Sequence, residues 1–534
     1  MDHRNRFRLE TLGIFLFALL LFTLGIWDQQ PQGFDGRWAL FLQEMFRHGA
    51  SLFPTTYGQP YADYPGTATF LSFMFARLFG APNHLANILP TALASAGVVA
   101  LIYRLLVAYE RHWALLTVLL TLLTTQLLEK SRSVCLDQMV ALLCVGSFYL
   151  LHSGQRLGSR WRQLAVFPLF ILGFAIRGPL GLIEVCGVVC VYWALGRPGE
   201  RVRQVLVHGL VGLVLLAACW WLLVKLARIS GGDAFADEVF KMQVGGRLDE
   251  AGEPFYFYLQ LSLYRYFPVV PLALATMVAL RHRWPERFDE PMQLVVRLGA
   301  CGLMILLGLS VPHFKRAYYI LPMVPMFAAV AAYGLLQAQG WLAGVRRGYE
   351  GLIVALPALC VVVVFVCRHG WQKHGYWPDV SLPLLIGVLV LLQVAALLAW
   401  RRAGRLVWLS LIALVAQWSL LVAVVEPSKD LQFDTRQFVS QVEALRAAEP
   451  GPLVFVDLGR DTWAVRYMMN LDHDEQPVFI GASEAQRLDA LPRPSWVIVA
   501  RKQAALLKDT SLEHLAPSFE GRLNDNPLMV FLLK

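Results

Sequence analysis

The sequence predicts a mainly α, polytopic membrane helical bundle of about thirteen transmembrane helices, with periplasmic loop helices and a small C-terminal α/β domain. Three observations predict it. Of 534 residues, 57% are hydrophobic and 16% charged, whereas a soluble globule carries about a quarter charged residues. Apolar runs long enough to cross a bilayer recur up to Glu426, and the links between them are alternately basic and mixed. The net charge of +9 therefore belongs to links that orient a membrane protein, and nucleic-acid binding is excluded.

The runs fall at 11–27, 84–108, 113–128, 134–152, 163–177, 179–195, 205–227, 259–280, 294–312, 317–340, 351–367, 381–400 and 405–425. Arg4, Arg6 and Arg8 precede the first, and no small-x-small cleavage site follows, so it reads as an uncleaved span. With the N-terminus in the cytoplasm, the inside links carry Arg104 to Arg111, Arg156/Arg160/Arg162, Arg197/Arg201/Arg203, Arg281/Arg283/Arg287, Arg346/Arg347 and Arg401/Arg402/Arg405. Every one is basic, as the positive-inside rule requires of a multi-pass membrane protein. The odd number of spans places the tail in the periplasm.

The transmembrane part is expected over residues 1–426, with a first periplasmic loop at 28–83 and a large one at 228–258. The first loop contains Gln32-Gly33-Phe34-Asp35-Gly36-Arg37-Trp38. A helical run follows (Trp38, Phe41, Leu42, Met45, Phe46), whose spacing suggests a helix lying along the bilayer surface. A punctuated stretch, Pro54 to Gly66, precedes a second amphipathic run from Thr67 to Phe79. Residues 427–534 read as a periplasmic α/β domain: strands at 453–458, 478–480, 496–499 and 529–533, helices at 433–448 and 484–491. Asp457-Leu458-Gly459-Arg460 lacks the glycine spacing of a nucleotide fingerprint. The eight cysteines lie in or beside apolar runs, so no disulfide framework is written here; Cys186 and Cys190, one helical turn apart, read as packing.

Ionisable residues at span ends supply the candidate chemistry. Asp35, at the mouth of the bundle, is the first candidate for a catalytic base. Asp137, in Ser131-Arg132-Ser133-Val134-Cys135-Leu136-Asp137, starts a span on the same side; it is either functional or the ion-pair partner of Arg132. Arg177, in Arg177-Gly178-Pro179, sits at an outer turn, with Glu184 as its possible partner a turn further on. Pro312-His313-Phe314-Lys315-Arg316-Ala317-Tyr318-Tyr319 gathers cations and phenols on the side where the positive-inside rule disfavours them, so an anionic partner is needed and phosphate fits best.

Taken in order, these motifs resemble the GT-C glycosyltransferases. They are a first-loop acid, Tyr61-Ala62-Asp63-Tyr64-Pro65, Arg132-Ser133 followed by Asp137, Arg177-Gly178-Pro179, Pro254-Phe255-Tyr256-Phe257-Tyr258, and Lys315-Arg316-Ala317-Tyr318-Tyr319. Within that superfamily the pattern is most similar to the lipid A aminoarabinose transferases and the dolichyl-phosphate-mannose protein mannosyltransferases, over residues 10–340. The resemblance implies inverting transfer of a hexosyl or pentosyl group from a polyisoprenyl-phosphate donor to a lipid A-like, glycan or protein acceptor at the periplasmic face. By that analogy Asp35 and Asp137 are the catalytic acids. Tyr61, Tyr64, Arg177, Arg247, Lys315, Arg316, Tyr318 and Tyr319 are the donor-phosphate residues, and Asp63 binds acceptor or braces the loop. Three departures follow: Gly36 stands where the family often has a second consecutive acid; Tyr64 replaces the lysine of lipid A transferases; and no histidine lies between Arg228 and Tyr258 to join Asp63 at a metal. No metal site or cofactor is assigned, and a divalent metal stays open. The competing readings are a flippase or transporter of lipid-linked sugar without chemistry, and an assembly protein whose tail binds a partner.

Overall fold

The computed structural model describes residues 3–534 apart from 28, 64, 197, 246–251 and 282–288. The first run folds as α1 (His3–Thr23), and the first loop holds α2 (Asp35–His48), a short hairpin (β1 Thr55–Thr56, β2 Gln59–Pro60) and α3 (Thr67–Phe79). The bundle continues with α4 (His84–Leu106), α5 (Arg111–Leu123), α6 (Thr125–Ser131), α7 (Leu136–Leu157), α8 (Arg160–Leu164), α9 (Val166–Arg177), α10 (Pro179–Ala194) and α11 (Pro198–Phe240). A π-helical turn, Lys241–Gly245, closes α11. Then follow α12 (Phe257–Arg265), α13 (Val269–Leu280), α14 (Glu290–Gly308), α15 (Val324–Leu336), α16 (Trp341–Gln372), α17 (Leu382–Ala399) and α18 (Arg405–Leu420).

Every predicted run coincides with a helix or a bent pair of helices. Among the described residues, seven helices are long and apolar enough to cross a membrane alone, and nine spans result if each bent pair counts as one. The pairs are α5–α6, bent by 74°, and α12–α13, bent by 108°. Thr124 is extended at the first break and Pro268, which cannot continue the preceding hydrogen-bond ladder, stands at the second. Shorter apolar helices include α3, of 13 residues, and α10, of 16. All eight cysteines are free.

α5 and α18 run side by side: Gln417 donates to Thr125 at 3.1 Å, and beyond them Lys429 reaches Glu129 at 3.1 Å. Arg111 and Arg405 begin these two helices, so they mark the end of the bundle opposite Glu129 and Glu426.

The tail carries α19 (Glu426–Gln432), α20 (Arg436–Ala448) and a five-stranded sheet of β3 (Leu453–Val456), β4 (Val478–Ile480), β5 (Ser495–Ala500), β6 (Phe519–Leu523) and β7 (Asn526–Leu533). The spatial order is β4-β3-β5-β7-β6; β3 is parallel to β4 and β5, while β7 is antiparallel to β5 and β6. β3 and β5 are buried at every position, which is why they read as continuous apolar runs. β6 escaped the sequence reading because it is an edge strand whose exposed positions are Glu520 and Arg522. The helix expected at 484–491 is a 3₁₀ segment, Ala482–Ala490.

The expectation that α2 lies on the bilayer surface is corrected. Its inward side chains Trp38 and Phe41 join the membrane core, but Leu40 on the other side packs with Tyr57 into the core of the tail, among Phe455, Val465 and Tyr467. α2 is therefore sandwiched between bundle and sheet, and Glu44, 5% exposed, accepts the backbone N–H of Tyr57 at 2.6 Å within that layer.

Candidate active site

Asp35 opens α2, where the unpaired N–H groups of a helix start favour a carboxylate. It is 7% exposed and its Oδ1 accepts the Val134 N–H at 3.2 Å. Burial raises its pKa to about 7, against the opposing charge of Lys130. Beside it lies a cavity of about 210 Å³ whose wall includes Val134, the donor of that hydrogen bond, and Phe34, the residue before Asp35. Asp35 itself forms the layer behind this wall, since its carboxyl is turned to Val134.

Asp137, in the first turn of α7, faces the same cavity and accepts from Arg177 Nε at 3.2 Å. Both side chains are 3% exposed or less, so the pair is desolvated. The Arg177 guanidinium lies 4.7 Å from the centre of the Tyr319 ring, and Tyr319 meets Tyr318 edge-on at 5.4 Å. Arg177 ends α9 and Pro179 starts α10; the intervening Gly178 has φ +67°, a conformation that glycine adopts at no steric cost. That turn fixes the arginine beneath Asp137.

The cluster at 312–319 divides. Arg316 lines the cavity, its guanidinium 5.3 Å from the Phe34 ring and 4.9 Å from Phe314, while its backbone N–H and C=O both bond the Tyr258 hydroxyl. Lys315 does not line it: the ammonium donates to the Glu253 carbonyl at 2.8 Å and braces the large loop. Burial holds the Lys315 pKa below the usual lysine range.

Of the first-loop candidates, Asp63 lines the cavity and its carbonyl accepts from Gln243 of the π-helical turn, joining the two loops. Tyr61 stands just outside, under the Arg37 guanidinium at 5.1 Å, with its hydroxyl 3.4 Å from Asp461 of the tail. Tyr64 and Arg247 lie outside the described residues.

Two sequence alternatives are corrected. Arg132 does not pair with Asp137. Its guanidinium binds Glu426 through Nε and Nη2, both at 2.6 Å, and donates to the carbonyls of Leu21 and Leu24. Glu184 does not take Arg177 either. The arginine goes to Asp137, and both buried carboxylate oxygens of Glu184 lack a hydrogen-bond partner.

Arg37 and Lys241 also line the cavity, and sequence reasoning gave neither a role. Arg37 had a signal, a cation two residues after Asp35 in an otherwise apolar run. Its Nη2 donates to the Asp461 carbonyl at 3.2 Å, and its buried Nε has no partner. Four cations (Arg37, Arg177, Lys241, Arg316) thus meet two carboxylates (Asp63, Asp137) around one cavity. The imbalance suits an anionic ligand. Among the described residues, no three His, Cys, Asp or Glu side chains converge as a metal site.

The helical bundle with its loop helices and small C-terminal sheet has the GT-C glycosyltransferase fold. The dolichyl-phosphate-mannose-protein mannosyltransferase family matches over residues 63–223. Among solved structures, ArnT from Cupriavidus metallidurans is similar both in the apo state and bound to undecaprenyl phosphate. Each superposes with a TM-score of 0.72 at 14% identity over 97% of both chains. The apo oligosaccharyltransferase of Archaeoglobus fulgidus is similar at a TM-score of 0.50 and 11% identity, over 94% of this chain and 71% of that one. No curated protein matches by sequence.

Proposed function

We propose that the chain is an inverting glycosyltransferase that moves a sugar from a polyisoprenyl-phosphate donor to a lipid, glycan or protein acceptor at the periplasmic face of the inner membrane. The observation that carries this reading is the cationic cavity with Asp137 in its wall and Asp35 directly behind it. A phosphate leaving group departs as a stabilised anion and needs no general acid. Arg316, Lys241 and the Arg177–Tyr319 stack meet its charge as it develops. The acceptor oxygen forms its bond to the anomeric carbon as the carbon–phosphate oxygen bond breaks. The electron pair leaves with the lipid phosphate and the acceptor proton passes to Asp35. Asp35 reaches an acceptor only from behind the cavity wall, so in this account its carboxyl turns from Val134 when substrate binds. Asp137 fixes Arg177, and Asp63, tied to Gln243, braces the roof against the acceptor. ArnT, bound to undecaprenyl phosphate in one of its structures, supports the choice of donor.

The test uses the purified protein in liposomes with a donor labelled separately in sugar and phosphate. Transfer puts the sugar label on an acceptor and leaves the phosphate label with the isoprenoid. Both labels crossing the bilayer together, with the donor intact, would instead establish transport.

A further inference from the structure

A second cavity, of about 450 Å³, lies at the opposite end of the bundle, walled by Arg346 of α16, Arg402 and Arg405 at the start of α18, and His112 of α5. Its cations are set rather than loose. Glu350, 1% exposed, accepts from Arg346 Nε at 3.0 Å and from Arg405 through Nε at 3.2 Å and Nη2 at 2.9 Å. One buried carboxylate therefore fixes two guanidiniums, and the triad keeps a net positive charge. Burying such a carboxylate is expensive unless its partners are well placed. Arg402, also in the wall, makes no ion pair among the described residues. The balancing acid in the wall is Glu110, which is exposed. Gly404, with φ +69°, makes the tight turn that brings Arg402 and Arg405 to one rim, facing His112.

The remaining wall is apolar: Leu336, Leu406 and Val407. α17, an apolar helix long enough to cross a membrane, ends at Ala399, three residues before Arg402, and exposes Leu398 near that end. A cationic rim over an apolar wall at a membrane surface matches an amphiphile with a phosphate head.

We propose that this cavity binds the phosphodiester headgroup of an anionic phospholipid, with the phosphate on Arg402 and the Glu350-held Arg405 and the acyl chains against α17. This site is independent of the sugar-transfer reading.

The experiment uses the full chain in neutral detergent. Phosphatidylglycerol, phosphatidylcholine and inorganic phosphate are titrated separately, with bound lipid read by native mass spectrometry and the unfolding temperature recorded. Phosphatidylglycerol is retained and raises the unfolding temperature, while phosphatidylcholine does neither. Arg402→Glu weakens phosphatidylglycerol retention about ten-fold or more, because reversal changes the local charge by two units. Arg160→Glu, at an exposed cation outside the cavity, changes it less than about two-fold. Arg402→Lys restores most of the binding, which shows that a lost signal in Arg402→Glu is not misfolding. Equal losses at Arg402 and Arg160 would reduce the site to diffuse surface charge, equal retention of phosphatidylcholine would remove the role of the anion, and inorganic phosphate binding as tightly as the lipid would assign the cavity to a soluble ligand. Each of these three results overturns the proposal.

Discussion

Asp35→Asn separates the chemical role of the carboxyl from its effect on stability. The side chain is buried, and its carboxyl rises from 3.8 to about 7 because desolvation penalises the charged form. A folded-state pKa above the unfolded one means that the folded protein holds the proton more tightly. Its contribution is complete below about pH 4 and is lost as pH rises through about 7. About three pH units, each worth about 1.4 kcal/mol, give a penalty of about 4 kcal/mol above neutrality. Asparagine keeps an oxygen to accept the Val134 N–H and carries no charge, so it removes that penalty. Unfolding temperatures of both proteins in detergent from pH 5 to pH 8.5 provide the assay. The variant is expected to be the more stable already at pH 5, by about 1.5 kcal/mol, with the gap widening by about 1.4 kcal/mol per pH unit up to about pH 7 and constant above it, while sugar transfer is lost. A wild-type curve parallel to that of the variant across the range would refute the burial argument and place the Asp35 carboxyl in water.

Five further outcomes are expected. In wild type, transfer falls about ten-fold per pH unit below pH 7, since the base must be ionised to take a proton; a pH–rate profile of kcat/KM checks the midpoint. Arg132→Met strands Glu426 beside a side chain that is 1% exposed, and should cost about 3–5 kcal/mol, read as a lower unfolding temperature and reduced yield. Arg316→Gln lowers kcat/KM by about ten- to a thousand-fold with the fold intact. Lys315→Met, which loses a bond to the Glu253 carbonyl instead of a cavity wall, changes loop protection in hydrogen exchange more than it changes the chemical step. Gly181→Ala puts a methyl group 2.2 Å from the Gly173 carbonyl oxygen, backbone that has little room to move, and should destabilise the α9–α10 turn that carries Arg177 by about 1–3 kcal/mol, measured as thermal stability.

The membrane runs were legible because a bilayer imposes length and hydropathy on each segment independently of its neighbours. The bend between α5 and α6 was not, since the extended Thr124 there leaves no mark in composition. Strands β3 and β5 announced themselves as buried apolar runs, whereas β6 is an edge with polar alternate residues. At the candidate site, Asp35, Asp137 and Arg177 stood out as ionisable residues at span ends. Their partners depend on tertiary approach. Asp137 chooses Arg177, 40 positions away, over Arg132 five positions before it, and Arg132 crosses to Glu426. Lys315 and Arg316 are adjacent in the chain, yet only Arg316 reaches the cavity, because one residue of backbone turns the two side chains apart. Arg37 went unassigned because its value lies in an unpartnered Nε and a contact with Asp461, 424 residues away.

The central claim is that Asp35 acts as base for sugar transfer from a polyisoprenyl phosphate. Membranes containing equal amounts of wild type or Asp35→Asn, supplied with polyisoprenyl-phosphate sugars labelled in the sugar, test it most directly. The account predicts label in an extractable lipid, glycan or protein fraction with wild type and about a thousand-fold less with the variant, the middle of the range that general-base catalysis contributes. Label transferred equally by both proteins would contradict it.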